Sequence, residues 1–205
     1  LIHVSSSEVY GTAQYIPVDE EHPLNPQSTY AVTKLAAERL CYTFYKEHDV
    51  PIIIVRPFNT YGPRDTHPRI IPVAISQLTR SNSLKLGDLS SSRDFTYVDD
   101  IVEGLLLTGQ KPELQGEVIN FGSGKDIKML DLVRLIAELV GRDDVHIVTD
   151  PARCRPDDVK QLVADNRKAR RLLNWKPKIS LRDGLTKTIN WYLDGNEGKW
   201  VWKNY

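Results

Sequence analysis

The chain opens on an apolar run, Leu1-Ile-His-Val4, that passes straight into a cluster of serines. That run predicts a buried strand. The stretch from Thr12 to Gln27, rich in Pro, Glu and Gln, predicts a loop. Ser28 has the chemistry of a helix N-cap, and Tyr30, Ala31, Leu35, Ala37, Leu40, Cys41 and Phe44 recur behind it at helical spacing, so a helix is expected to about His48. Pro51-Ile-Ile-Ile-Val55 is a continuous apolar run, the pattern of a central strand covered on both faces. Strand, helix, strand in this order is a βαβ unit, whose crossover is right-handed.

Further along, Arg56 to Arg69 reads as loop and Ile70 to Arg80 as helix. Leu84-Lys-Leu86 and Phe95-Thr-Tyr-Val98 read as short strands around a serine-rich turn. Asp100 and Glu103 have the spacing of a capping box and predict a helix through Leu107. Glu117 to Phe121 predicts another strand. Met129, Leu132, Val133, Ile136, Leu139 and Val140 form one helical stripe. Ser180 with Asp183 opens a last helix that ends near Leu193. The pattern is that of an α/β protein with at least one parallel sheet.

Composition narrows the classes of function. The 205 residues hold 27 basic and 27 acidic side chains, so no global field favours nucleic acid or an anionic membrane. No apolar run approaches the ~20 residues of a membrane span. Two cysteines, Cys41 and Cys154, are too few for a disulfide scaffold and point to a reduced, cytoplasmic setting. The histidines show no metal-ligand spacing, so no metal is expected, and His3 is expected to pack beside the sheet. Gly122-Ser-Gly-Lys125 lacks the lead-in and the following Ser or Thr of a phosphate loop and reads as a turn.

The candidate chemistry lies between Ser5 and Lys34. Ser5, Ser6, Ser7 and Glu8 follow a strand, and residues at the carboxyl ends of parallel strands line the ligand crevice of open α/β sheets. Tyr30 and Lys34 are four apart and share one helix face. An ammonium beside a phenol favours the phenolate, the form that takes a proton. Alone, Tyr-x-x-x-Lys describes many amphipathic helices. Next to three hydroxyls and a carboxylate it describes a set able to remove a proton and a hydride from a sugar.

The motifs Val4-Ser-Ser-Ser-Glu-Val-Tyr-Gly11, Tyr30-x-x-x-Lys34, Arg56-Pro-Phe-Asn-Thr-Tyr-Gly-Pro63, Arg93-Asp-Phe-Thr-Tyr-Val-Asp-Asp100 and Arg155-Pro-Asp157 resemble, in this order, those of the extended short-chain dehydrogenase/reductase family. Within it they are most similar to the nucleotide-sugar 4,6-dehydratases. The resemblance implies NAD as cofactor and a nucleotide sugar as substrate. It implies that Tyr30 takes the sugar 4-hydroxyl proton, Ser6 hydrogen-bonds that oxygen, Lys34 binds the nicotinamide ribose, and Glu8 takes the C5 proton before water leaves C6. Ser7 stands where dehydratases of dTDP-glucose usually carry Asp, which argues for another sugar nucleotide. Ser5, Tyr30, Lys34, Pro57 and Asn59 are the implied cofactor contacts. Ser6, Glu8, Asn59, Leu84, Leu86, Arg93, Asn120 and Arg155 are the implied substrate contacts.

Glu8 argues against a 4-epimerase, which needs no base at C5, while a nucleotide-sugar decarboxylase can share Ser-Glu-Val-Tyr-Gly. Dehydratase is therefore ranked first, decarboxylase or epimerase second, with a non-catalytic binding relative as the alternative of another class. The resemblance also implies a homodimer through the helix of Tyr30 and Lys34. The Gly-rich turn of a dinucleotide fold is missing from the sequence, so the expected fold is the C-terminal part of a Rossmann-type parallel-sheet domain (1–62 and 98–121). A smaller mixed α/β substrate domain (63–97 and 122–205) is expected beside it. The N-terminal βαβ unit is expected to be absent, leaving an open, apolar sheet edge; the chain is expected to be a piece of a longer protein, the alternative being a partner that supplies the rest.

Overall fold

The structure, a computed structural model, describes residues 1–65, 67–154 and 159–195. In chain order its elements are β1 (Ile2–Val4), α1 (Thr29–His48), β2 (Ile53–Pro57), β3 (Asn59–Tyr61), α2 (Ile70–Leu78), β4 (Ser83–Leu86), β5 (Ser92–Tyr97), α3 (Val98–Gly109), β6 (Val118–Phe121), β7 (Asp126–Lys128), α4 (Met129–Val140), β8 (His146–Thr149), β9 (Gln161–Leu162), α5 (Arg167–Leu173) and α6 (Leu181–Leu193). Short 3-10 turns add to these, the important one being Ser7–Tyr10.

The first sheet is wholly parallel, in the order β1-β2-β6. Ile2 lies opposite Ile53, and Ile54 opposite Val118. The β-branched run thus forms the middle strand, with Ile53, Ile54 and Val55 all buried. β1 is a strand as expected, but it is an edge strand and not a buried one: Val4 is 41% exposed. Among the described residues it pairs with β2 alone.

A second group of strands is mixed. β3 runs parallel to β5, with Asn59 opposite Phe95, while β7 is antiparallel and β9 parallel to β5. Residues 56–69 were expected to be loop, yet β2 runs on to Pro57 and β3 follows after one residue. Pro57, which has no N–H to donate, closes β2. Tyr61 then enters the core against Tyr97, and Phe58 also turns inward. β4 and β8 make a separate parallel pair.

One core lies among α2, β4, α4 and α6, and holds the predicted stripe of Met129, Leu132, Val133 and Ile136. A second packs α3 and α5 on the first sheet around Phe121 and Trp175. A third, smaller one lies under the Ser7–Tyr10 turn and joins Val9, Tyr10 and Phe58 to Val18, Leu162 and Ala164.

Two helix expectations need correction. Asp100 does not cap α3, whose N-cap is Tyr97 without a side-chain bond. Instead Asp100 is buried and accepts the backbone N–H groups of Lys178 and Ile179, both at 3.0 Å. Those donors lead into α6, so the carboxylate does more by holding a distant turn than by closing its own. On α1 the face toward the sheet is not the apolar stripe read from the sequence. Ala31 and Glu38 are buried with Lys34, Leu35 and Cys41 half-buried, while Tyr30, Leu40 and Phe44 are exposed. The Ser28 cap is as predicted, accepting from Ala31 N at 3.1 Å, as is the Ser180 cap of α6.

Replacing Asp100 by Ala leaves two part-buried N–H groups without an acceptor. Hydrogen bonds to a charged group contribute about 1.5–3 kcal/mol each. Asp100→Ala is therefore expected to lose roughly 3 kcal/mol of stability, read as a lower denaturant midpoint at unchanged m-value. An unchanged midpoint would show that water replaces the carboxylate at no cost.

Candidate active site

Ser5 follows β1 and donates its N–H to Val55 O at 2.8 Å, which continues the parallel ladder by one residue. The chain then turns. Ser6 is extended, with φ −160° and ψ 149°, and its Oγ accepts from Glu8 N at 3.2 Å. This bond starts the 3-10 turn of Ser7–Tyr10. Gly11 ends it with φ +65°, a conformation that disfavours a Cβ. A Cβ there would also lie 2.0 Å from Asn25 O, so the glycine of Ser-Glu-Val-Tyr-Gly is a steric requirement. Ser7, Val9 and Tyr10 are buried by the turn, while Glu8 is left half-exposed.

α1 packs directly against this turn. Tyr30 stands in its first turn with about half its surface exposed. Lys34 lies one turn on, its Nζ 5.8 Å from the centroid of the Tyr30 ring. The same Nζ donates to Val4 O at 3.1 Å, which fixes the lysine at the end of β1. Burial, and then the charge of Lys34, hold the neighbouring His3 imidazole below its ordinary pKa. Ser5 Oγ is buried beside the Glu38 carboxylate without a hydrogen bond of ordinary geometry.

The groups around this cluster are held by Arg56, at the end of β2. Its guanidinium meets the Glu38 carboxylate in a two-point fork, Nε to Oε2 at 3.0 Å and Nη2 to Oε1 at 2.5 Å, both side chains being 3% exposed. Nη1 donates to Tyr10 Oη at 2.8 Å and to Glu20 O at 3.3 Å. Tyr10 in turn donates to Asn120 Oδ1 at 2.7 Å, and Asn120 donates through Nδ2 to Val18 O. Burial alone would raise the Glu38 carboxyl, but the hydrogen bonds and charge of Arg56 outweigh it and hold it below the usual range. Burial pushes the Tyr10 phenol up to about 12, with Arg56 pulling the other way.

The remaining expected residues fall elsewhere. Pro57 and Asn59 follow Arg56, half-buried at the end of β2 and in β3. Asn120 is fully buried and its side chain is taken up by Tyr10 and Val18. Leu84 and Leu86 point into the core of α2 and α4, so only the β4 backbone could meet a ligand. Arg93 is buried on β5 and donates to Ser92 O at 2.9 Å. Its neighbour Asp94 accepts from Ser123 N, Ser123 Oγ, Gly124 N and Ala164 N, and so fixes the Gly122–Lys125 turn. Burial raises the Asp94 carboxyl and these bonds oppose the shift. Arg155 lies outside the described residues. No group of three His, Cys, Asp or Glu side chains among the described residues could hold a metal ion.

Sequence reasoning passed over Arg56, Glu38, Tyr10 and Asp94. Arg56 left one signal, a single charge at the end of an apolar run. Glu38 left another, four residues beyond Lys34 on the same face.

The family model described as GDP-mannose 4,6 dehydratase matches residues 1–188. A Bacillus subtilis protein described as an uncharacterized UDP-glucose epimerase, YtcB, is 38% identical over 92% of the chain and 58% of its own length. The UDP-glucuronic acid 4-epimerase of Bacillus cereus, solved with UDP-glucuronic acid and NAD, superposes with a TM-score of 0.88 at 34% identity, over 94% of this chain and 61% of that one. The dTDP-glucose 4,6-dehydratase of Bacillus anthracis, solved with NAD, gives 0.89 at 29% identity, over 99% and 63%. The chain spans about three-fifths of the length of the curated relatives it matches.

Glu38→Gln breaks the fork and leaves a buried guanidinium uncompensated, which costs roughly 3–5 kcal/mol at neutral pH. The sign with pH follows from the depressed Glu38 value. The stability gained from ionised Glu38 is fully present above its unfolded pKa, near 4.5, and is lost as pH falls through the lower folded value. Urea unfolding of both proteins at a series of pH values is expected to show a constant gap above about pH 5.5 that narrows steadily as pH falls below it. A gap independent of pH would mean that Glu38 is held by packing rather than charge.

Proposed function

The chain belongs to the GDP-mannose 4,6 dehydratase family of extended short-chain dehydrogenase/reductases, and from that premise we propose that it carries the acid–base groups of an NAD-dependent enzyme turning a nucleotide-linked hexose into its 4-keto-6-deoxy form. The observation that carries this reading is the setting of Glu8. The turn that buries its neighbours on both sides leaves this one carboxylate half-exposed, beside the helix that presents Tyr30 and Lys34.

The residues present fit the cofactor of the solved relatives. Ser5 Oγ lacks a hydrogen bond of ordinary geometry, and Lys34 gives one of its three N–H donors to Val4 O. Ser5, Tyr30, Lys34, Pro57 and Asn59 would hold the nicotinamide end. When bound, NAD would accept a hydride from the sugar C4 and return it at C6. Tyr30 takes the proton of the 4-hydroxyl. Ser6 Oγ accepts from Glu8 N, so its own proton stays available for the same sugar oxygen. The ketone at C4 acidifies C5, and Glu8 removes that proton as general base. Ser7 is buried and no carboxylic acid stands at its position, so Glu8 also protonates the C6 hydroxyl, which departs as water; C5 would then take up one proton, balancing the one Tyr30 removed from the 4-hydroxyl, as the hydride reaches C6. This favours GDP-mannose or a nucleotide-linked N-acetylglucosamine over dTDP-glucose. Arg93 and Arg155 are the proposed diphosphate contacts, with Asn59 and the β4 backbone at Leu84 and Leu86 around the nucleotide; Asn120, fully buried and bonded to Tyr10 and Val18, is not among them.

A second reading, a 4-epimerase, is supported by the identity to the Bacillus epimerases. It would use Ser6, Tyr30 and Lys34 but not Glu8. In both readings a second copy pairs through α1, which leaves Val32, Leu40 and Phe44 exposed. The proposed setting is the reducing cytoplasm, with Cys41 and Cys154 both free. No helix among the described residues is long and apolar enough to cross a membrane.

Offered GDP-, UDP- and dTDP-linked hexoses with NAD, the complete protein is expected to release a 4-keto-6-deoxy product from one of them. Glu8→Gln is expected to slow that release by about 10²–10⁴-fold, the usual contribution of a positioned acid–base group. A product that keeps its C6 hydroxyl and is inverted at C4, formed equally well by Glu8→Gln, would instead establish the epimerase.

A further inference from the structure

Arg56 touches both halves of the proposed acid–base set through one intermediate on each side. Nη1 reaches Tyr10, two residues beyond Glu8 and inside the same 3-10 turn. Nε and Nη2 reach Glu38, one helical turn beyond Lys34 and two beyond Tyr30. The guanidinium itself sits over the Tyr10 ring, 4.8 Å from the centroid, and is 3% exposed. It therefore has no solvent-facing role of its own.

We propose that Arg56 is a positioning residue which sets the base turn and the phenol helix relative to one another, through a Tyr10 arm and a Glu38 arm that can be cut separately. The proposal rests on the reading of Glu8 and Tyr30 given above. Three features carry it. The guanidinium is planar, so its two arms leave at fixed angles, and a lysine could not serve both. The Tyr10 arm is braced from behind by Asn120 on β6, and the Asn120 backbone N–H is held by Glu20 Oε1 at 2.7 Å. The Glu38 arm is a two-point fork, which fixes orientation as well as distance. A misplacement of about 1 Å at an acid–base group is enough to cost on the order of a hundredfold in rate.

The two arms make different predictions. Tyr10→Phe removes one hydroxyl and loosens the turn of Glu8, leaving the fork intact. Glu38→Gln loosens the helix of Tyr30 and Lys34, leaving the turn tied to Arg56. Hydrogen exchange on the protein without substrate reads each directly. In Tyr10→Phe the Val9 and Gly11 amides, bonded to Ser6 O and Glu8 O, are expected to exchange at least about tenfold faster, with the amides of Val32 to Glu38 unchanged. In Glu38→Gln the helix amides are expected to speed up more than those of the turn.

The kinetic arm uses whichever of GDP-mannose, dTDP-glucose or UDP-N-acetylglucosamine the wild type converts, deuterated at C4 or at C5. Tyr10→Phe is expected to lower kcat about tenfold with KM within twofold, and to raise the isotope effect from C5 while that from C4 falls. Glu38→Gln is expected to do the reverse. A merely structural role would lower both steps together and leave the ratio of isotope effects where it was. Equal exchange on turn and helix in either variant overturns the proposal, as does a Tyr10→Phe enzyme with wild-type kinetics. A wild type that converts none of the three sugars, yet shows the separate exchange patterns, overturns the dehydratase reading and leaves the two-armed placement supported.

Discussion

The geometry of the site depends on one buried ion pair, Arg56 with Glu38. Taking either charge out of water is unfavourable by several kcal/mol, and the pair repays this only when every donor and acceptor is matched. Here the matching is extensive. The carboxylate takes two N–H groups, and Nη1 donates to both Tyr10 Oη and the Glu20 carbonyl. An apolar pair of similar volume could hold α1 on the sheet equally well. It could not also fix the rotation of α1 about its axis and the depth of the Ser7–Tyr10 turn. The rotation decides whether Lys34 reaches Val4 O, and the depth decides whether Glu8 stays accessible. The pair thus acts on specificity of arrangement more than on stability.

Buried carboxylates do similar work elsewhere in the chain, with backbone N–H groups in place of a guanidinium. Asp94 gathers Ser123, Gly124 and Ala164, and Asp100 gathers Lys178 and Ile179. Asp94 lies on β5 and Asp100 in the first turn of α3, and each ties its element to a loop distant in sequence. A loop that must hold one shape needs its N–H groups satisfied, and an ionised carboxylate satisfies two or more at once. That accounts for two of the three aspartates in the motif running from Arg93 to Asp100; the third, Asp99, is exposed. Asp94 also fixes the turn at Gly122, where a Cβ would come within 2.2 Å of Ala164.

Much of the fold was legible in the sequence because the patterns involved are local. Met129 to Val140, the Ser28 and Ser180 caps and the β-branched run of β2 each rest on residues a few positions apart. The β9 strand and the pairing of β3 with β5 were not legible, since all three strand pairings that fix β5 and β3 join residues more than thirty positions apart. Which side of α1 meets the sheet was not legible for a related reason: the sheet presents the Arg56 guanidinium, and Glu38 meets it. The chemistry between Ser5 and Lys34 was legible as a motif. What holds it in place was not, because Arg56, Glu38 and Tyr10 look ordinary until they are seen together.

Ser6 shows how closely the turn and the proposed chemistry are joined. As N-cap it lends a lone pair to Glu8 N, and this bond aims the Glu8 side chain away from the core. The same hydroxyl keeps its proton for the proposed bond to a sugar oxygen. A residue that only capped the turn could be Asp or Asn as well as Ser. Asp would bring a second charge beside Glu8 and would have no proton to give when ionised. A hydroxyl alone supplies an acceptor to the backbone and a donor to the ligand from one atom. The three consecutive serines after β1 therefore divide the work: Ser5 extends the strand, Ser6 shapes the turn and is the proposed donor to the sugar, and Ser7 fills the core beneath it.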